Sequence, residues 1–241
     1  MKQILLFFFF ITSFVTYSQY TLIPDQNFEW FLIRNGYDSG NFDGKVLTSN
    51  INTITKLDFI NGSQNFIASL KGIEDFTALT ELIIIDGSLL TSLDVSKNTA
   101  LTKLICSRNR LTSLDVSKNI ALTELICAGN MLTELDLTKS VALTLLNCTQ
   151  NQLTSLDLSK NFALNAVGCD YNKLTILDTS SNIILKELSC SANLLTSSDL
   201  TKNILLSNFS CGNNKLTTLE LAKNINLKGF SCENNNLTRW V

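Results

Sequence analysis

Histidine is absent from all 241 residues, which removes the side chain that most often ligates metals and moves protons at neutral pH. Proline occurs once, at Pro24, and the chain holds neither a Gly-rich phosphate loop nor a nucleophile elbow. Positive charge is not in excess: 19 Lys+Arg stand against 21 Asp+Glu, a formal net charge of −2. The basic footprint of a nucleic-acid binder is therefore missing, and no nucleic-acid partner is expected. No cysteine precedes Cys106, so a lipid-bearing cysteine near the N-terminus is excluded. Only carboxylates remain as catalytic groups, and they recur from unit to unit instead of forming one unique acid and base pair. The chain is expected to be non-catalytic, without cofactor or metal.

What is present is a period. Cys106, Cys127, Cys148, Cys169, Cys190, Cys211 and Cys232 are the only cysteines, each 21 residues from the next. Asn109, Asn130, Asn151, Asn172, Asn193, Asn214 and Asn235 follow them by three, and the leucine column Leu101 to Leu227 precedes them by five. The beat loosens upstream but persists through Leu79, Leu82 and Ile84, and through Ile54, Leu57 and Phe59. A fixed period of this size means stacked coils, here about nine. In each, an alternation such as Leu104 inward, Ile105 outward, Cys106 inward suits a strand. Side-by-side strands then form a parallel sheet about 43 Å long. The ten residues left for the return are fewer than an average helix and its connections require, so the return is read as extended. Leu111, Leu114 and Val116 repeat the inward spacing there, while Thr179 and Ser198 interrupt it.

The pattern L-x-x-L-x-C-x-x-N-x-L over residues 54–241 resembles the leucine-rich repeat, with cysteine in the third apolar slot. The stretch IPDQNFEWFLIRNGYDS resembles the N-terminal segment of secreted repeat proteins from flavobacteria and their relatives, whose coils resemble those of internalins. The resemblance implies a cell-surface or released binding protein and names no ligand. In that family a C-terminal sorting domain is common, whereas this sequence stops at LTRWV. The expected fold class is an α/β-type, mostly β repeat solenoid with a parallel concave sheet, an extended convex side and a short N-terminal capping helix.

Three segments follow from composition. Residues 1–18 have one early lysine and an apolar run from Ile4 to Val15, shorter than the roughly 20 residues that cross a bilayer. They read as a secretory signal, which places the product outside the cytoplasm: secreted, on the cell surface or in the periplasm, and not membrane-spanning. Residues 19–53 read as a cap, with Phe28, Phe31 and Leu32 on one helical face, a start at Pro24-Asp25 and a stop at Asn35-Gly36. Residues 54–241 are the coils. At the far end, Trp240 and Val241 either cover the last coil or leave an edge for end-to-end association with a second copy.

Each repeated residue has a structural and a functional reading. The cysteines fit a stack of reduced core thiols better than disulfides, because parallel side chains give poor torsions. The asparagines fit bonds to turn backbone better than a polar binding track. The segment DSGNFDGK places Ser39, Asn41 and Asp43 as in a calcium loop, but Asn50 stands where a bidentate glutamate is needed. Asp94, Asp115, Asp136, Asp157, Asp178, Asp199 and Glu220 form a column, offset by lysines three residues on, and read as a solvated face.

Recognition is expected where coils differ. Ile83, Ile105 and Ile126 would form an exposed apolar stripe on the concave sheet, or simply pack across strands. Arg108, Gln150, Asp170 and Tyr171 vary at the strand ends. A protein or glycan ligand is the favoured partner. The alternatives are ice binding, prompted by the unbroken threonine column Thr112 to Thr238, and a purely structural or adhesive surface role.

Overall fold

The structure, a computed structural model, describes residues 19–59, 66–85 and 89–240; the export signal expected at 1–18 lies outside them, as does Val241. The N-terminal region begins with β1 (Tyr20–Leu22), continues into α1 (Gln26–Arg34) and returns through β2 (Lys45–Leu47), which pairs antiparallel with β1, before the short α2 (Thr48–Ile51). Helix α1 starts where Asp25 Oδ1 accepts the Asn27 and Phe28 N–H groups at 2.9 and 3.1 Å. The other carboxylate oxygen, Oδ2, accepts from Ala68 and Ser69 N–H at 2.8 and 2.9 Å, so one side chain both caps the helix and ties it to the first coils. Helix α1 stops at Asn35, and Gly36 takes the left-handed φ of 74° that follows. Phe28, Phe31 and Leu32 are buried; the two rings lie 5.9 and 4.2 Å from the Phe59 ring, closing the end of the solenoid with aromatic packing.

Nine three-residue strands follow in one sheet: β3 (Lys56–Asp58), β4 (Glu81–Ile83), β5 (Lys103–Ile105), β6 (Glu124–Ile126), β7 (Leu145–Asn147), β8 (Ala166–Gly168), β9 (Glu187–Ser189), β10 (Asn208–Ser210) and, beyond the short β11 (Thr218–Leu219), β12 (Gly229–Ser231). All neighbours pair in parallel and in register, so Leu82, Leu104, Leu125, Leu146, Val167, Leu188 and Phe209 form one inward row. The returns are extended and turn-rich; among the described residues only β11 and β13 (Arg239–Trp240) pair there as strands. The inner row two residues on runs Phe59, Ile84, then cysteine: side chains shrink away from the cap. The first six thiols are buried and the seventh, Cys232, is half-buried; all are free.

Two columns of asparagine line the interior. In the first, Asn130 Nδ2 donates to Cys106 O and Cys127 O at 2.9 and 3.0 Å, while its Oδ1 accepts Leu111 N–H at 3.1 Å; the pattern recurs coil after coil. The second column, which Ser140 interrupts, is the more deeply buried: Asn119, Asn161, Asn182 and Asn203 have no exposed surface. Each donates to backbone carbonyls of preceding coils, as Asn182 does to Leu158 O and Asn161 O at 3.2 and 2.8 Å. Thr179, read as a gap in the back wall, is buried and its Oγ1 donates to Asn203 Oδ1 at 2.9 Å.

Ser140 is the break in that second column: fully buried, its Oγ has no hydrogen-bond partner among the described residues. Its backbone bonds match those of Asn119, with Ser140 N donating to Leu137 O at 2.9 Å. In Ser140→Asn the amide would reach Val116 O and Asn119 O as its neighbours do for theirs. The substitution is expected to stabilise by about 1–2 kcal/mol, a rise of roughly 2–6 °C in thermal melting. An unchanged or lower melting temperature would mean that the longer side chain does not fit.

Candidate binding surface

Outward residues of the strands make the concave face, and its two halves differ chemically. On β3–β6 the first outward positions alternate in sign: Lys56 lies 3.4 Å from Glu81, and Lys103 lies 2.9 Å from Glu124. Ile83, Ile105 and Ile126 stand in register beside them. Of the two readings of these isoleucines, packing across strands holds for Ile83 and Ile105, which retain only 6% and 9% exposure, because each branched side chain is flanked by another one strand away. Ile126, at the boundary, is half-buried. This half satisfies its own charges and covers its own apolar groups.

The half built by β7–β12 does not. Its first outward row is Leu145, Ala166, Glu187, Asn208 and Gly229, and its second is Asn147, Gly168, Ser189, Ser210 and Ser231. Small side chains at Ala166 and Gly168 sink the surface between Leu145 and Asn147 on one side and Glu187 and Ser189 on the other. The resulting depression has a volume of about 290 Å³. Beside it, one Asp170 carboxylate oxygen accepts from Ser189 Oγ at 2.6 Å and Ser191 N–H at 2.7 Å. Ser231 Oγ donates to Ser210 Oγ at 3.2 Å. The result is a fixed array of hydroxyl, amide and carboxylate groups in partial contact with solvent.

Arg108, Gln150 and Tyr171 share one structural position, the turn that follows each strand. There the backbone takes φ of 54°, 54° and 53°, and Gly129, Ala192, Asn213 and Asn234 hold the same place in other coils. Glycine and asparagine suit this left-handed region; arginine, glutamine and tyrosine do not. Tyr171 is nevertheless 60% exposed. The Gly-and-Asn pattern at positions 129, 213 and 234 was the sequence signal for this requirement. Asp170, two residues past the end of β8, sits next to Tyr171, while Ile83 and Ile105 are set apart at the other end of the sheet.

On the opposite wall the acidic column is locally satisfied. Asp115, Asp136 and Asp157 each accept the backbone N–H two residues on at 2.8 Å, and that bond, helped by the Ser or Thr hydroxyl, holds each carboxyl below its usual range. The loop of residues 38–44 is held by a buried carboxylate: Glu29 Oε1 accepts Asp43 and Gly44 N–H, both at 2.8 Å. No helix among the described residues is long and apolar enough to cross a membrane.

No protein-family model and no curated protein matches the chain. Solved structures do. The functional domain of InlJ from Listeria monocytogenes, described as including a cysteine ladder, aligns at 33% identity with a TM-score of 0.61, over 91% of this chain and 58% of that one. A leucine-rich repeat protein from Leptospira interrogans aligns at 26% identity with a TM-score of 0.67, over 71% of this chain and 47% of that one. Internalin InlF of L. monocytogenes, at 22% identity and a TM-score of 0.69, covers 89% and 70% and shares the fold. The chain thus spans about half the length of the first two. With its 21-residue period, its parallel concave sheet and its strand-free returns over most coils, the chain is an internalin-like leucine-rich repeat protein.

Proposed function

We propose that the chain is a secreted or cell-surface, non-catalytic binding protein whose repeats present the β7–β12 half of the concave face to a protein or glycan. In this reading residues 1–18 direct export, 19–53 close the N-terminal end, and 54–241 carry recognition. The observation that carries it is Tyr171: a large aromatic side chain kept exposed on a left-handed backbone, adjacent in the chain to Asp170, whose carboxylate bonds Ser189 at the edge of the depression. Strain of this kind, of order 1–2 kcal/mol, is retained where a side chain has work that a relaxed residue cannot do. Gln150 and Arg108 extend the same rim. Ice binding is less well supported, because the threonine column is flanked by Ser113, Glu134, Ser155 and Ile176, which form no second matching rank.

Screening the chain on glycan and protein arrays tests the proposal, with Tyr171→Asn as the paired variant. The variant is expected to melt higher, by about 1 kcal/mol of relieved strain, and to lose tenfold or more in affinity for any ligand found. Ligands bound equally well by Tyr171→Asn and Gln150→Gly proteins would place recognition elsewhere.

A further inference from the structure

From Asn119 onward, the residue after each second-column position, Ser140 included, is apolar and turned outward. Ile120, Val141, Phe162, Ile183, Ile204 and Ile225 occupy six consecutive coils, with exposures of 63, 54, 58, 57, 51 and 86%. At one coil per about 4.8 Å they make a straight ridge about 24 Å long. Large apolar side chains exposed singly are ordinary; six in one line are a patch. On the other side of the buried asparagine, two residues before each ridge residue, stand Lys118, Lys139, Lys160, Lys202 and Lys223, all exposed, with Ser181 as the gap. Among the described residues none of these lysines forms an ion pair. The nearby carboxylates of Asp115, Asp136, Asp157, Asp178 and Asp199, with Glu220 completing their column, lie three residues before the lysines and Ser181. The five aspartates are turned back into their own turns, each accepting the N–H two residues on, and the lysines attract four of them, all but Asp178, without closing an ion pair.

From this arrangement we infer that the ridge docks on an anionic phospholipid bilayer, the apolar row entering the headgroup boundary while the lysine row meets phosphates. Apolar burial and electrostatic attraction to anionic lipid are the two terms that drive peripheral binding, and here they run as parallel rows. A second copy of the chain fits less well. Two ridges pressed together would set the lysines against either the other copy's lysines or its row of Ala121, Ala142, Ala163, Ile184 and Leu205, and neither supplies a carboxylate. The ridge lies off the concave face, so this inference stands apart from the proposed ligand surface.

Co-sedimentation with phosphatidylcholine vesicles, with and without phosphatidylglycerol, tests it. The full chain and the product beginning at Gln19 are compared, each against the same variants, so that any contribution of residues 1–18 cancels. Binding is expected to require phosphatidylglycerol. The triple variant Phe162→Ser, Ile183→Ser, Ile204→Ser is expected to bind about tenfold less, and Lys139→Gln, Lys160→Gln, Lys202→Gln to lose the anionic preference by about tenfold or more. The altered residues are exposed, so circular dichroism and melting should be unchanged. No sedimentation with either vesicle, or sedimentation that neither triple variant lowers, overturns the inference. So does a dimer by light scattering that the serine variant dissociates without any lipid binding.

Discussion

Raising the pH from neutral to about 10 is expected to unfold the protein through its thiol stack. Cys106, Cys127, Cys148, Cys169, Cys190 and Cys211 are buried, and burial pushes each thiol up from an ordinary value of 9.0, Cys127 and Cys211 to about 12. A raised folded value means that the native state holds the proton more tightly. Its contribution to stability is therefore complete below pH 9 and is lost as pH rises toward about 12. One unit above the unfolded value, each thiol costs about 1.4 kcal/mol, and six together about 8 kcal/mol. That is comparable to the whole stability of an ordinary domain, so the transition should be steep and its midpoint near pH 10.

The slope identifies its cause. Six thiols give about 8 kcal/mol per pH unit in the denaturation free energy, and the double variant Cys127→Ala, Cys148→Ala should reduce this to about 5. That variant should be less stable at neutral pH, since two cavities open, yet resist alkali over a wider range. A slope the same as wild type would assign alkaline unfolding to other groups. The half-buried Cys232 provides a second readout: below the transition it alone of the seven cysteines should react rapidly with a thiol reagent, the other six only after denaturation.

The solenoid was legible because its signal is redundant. Leucine, cysteine and asparagine recur at one spacing, and a spacing seen in seven successive units leaves a single stacking solution. The cap helix was legible for the opposite reason: Pro24, Asp25, Asn35 and Gly36 are local signals, and local chemistry sets helix ends. What could not be read depends on partners far along the chain. Glu29 looks like a surface acid on an amphipathic helix, but its partners, Asp43 and Gly44, lie 14 and 15 residues away. The second asparagine column looked irregular because Ser140 interrupts it, although burial there is complete. The candidate site was the least legible part. Whether Ile105 faces solvent or its neighbours depends on register and side-chain lean, and column membership alone does not report either. The outward ridge from Ile120 to Ile225 has the same period as the core, and a period carries no sign of inward or outward.

Removing an asparagine from the middle of the first column should cost more than removing one from its start, because only the former leaves a backbone donor stranded. Asn172 Nδ2 donates to Cys148 O at 3.0 Å and Cys169 O at 3.1 Å, but those carbonyls also receive Asn151 and Asn193, at 3.0 Å in both cases. They stay bonded after truncation. Leu153 N–H, which donates to Asn172 Oδ1 at 3.0 Å, has no second acceptor among the described residues. Asn172→Ala is thus expected to cost about 4 kcal/mol: roughly 1–3 for the orphaned N–H and the remainder from weakened carbonyl bonds and the cavity. Asn109 differs in one respect, since its Oδ1 accepts from no donor among the described residues. Asn109→Ala should cost about 2 kcal/mol, without the orphan. Asn172→Asp separates donor from acceptor: the carboxylate still takes Leu153 N–H but turns its second oxygen on two carbonyls. Its proton should be held above the usual carboxylate range, so its stability deficit should shrink as pH falls through that raised value toward about 4, where the acid form restores a donor, and change no further below it. Urea unfolding of the three variants ranks them. Equal costs for Asn172→Ala and Asn109→Ala would show that the column is held by amide-to-carbonyl bonds alone and that the Leu153 N–H bond contributes nothing.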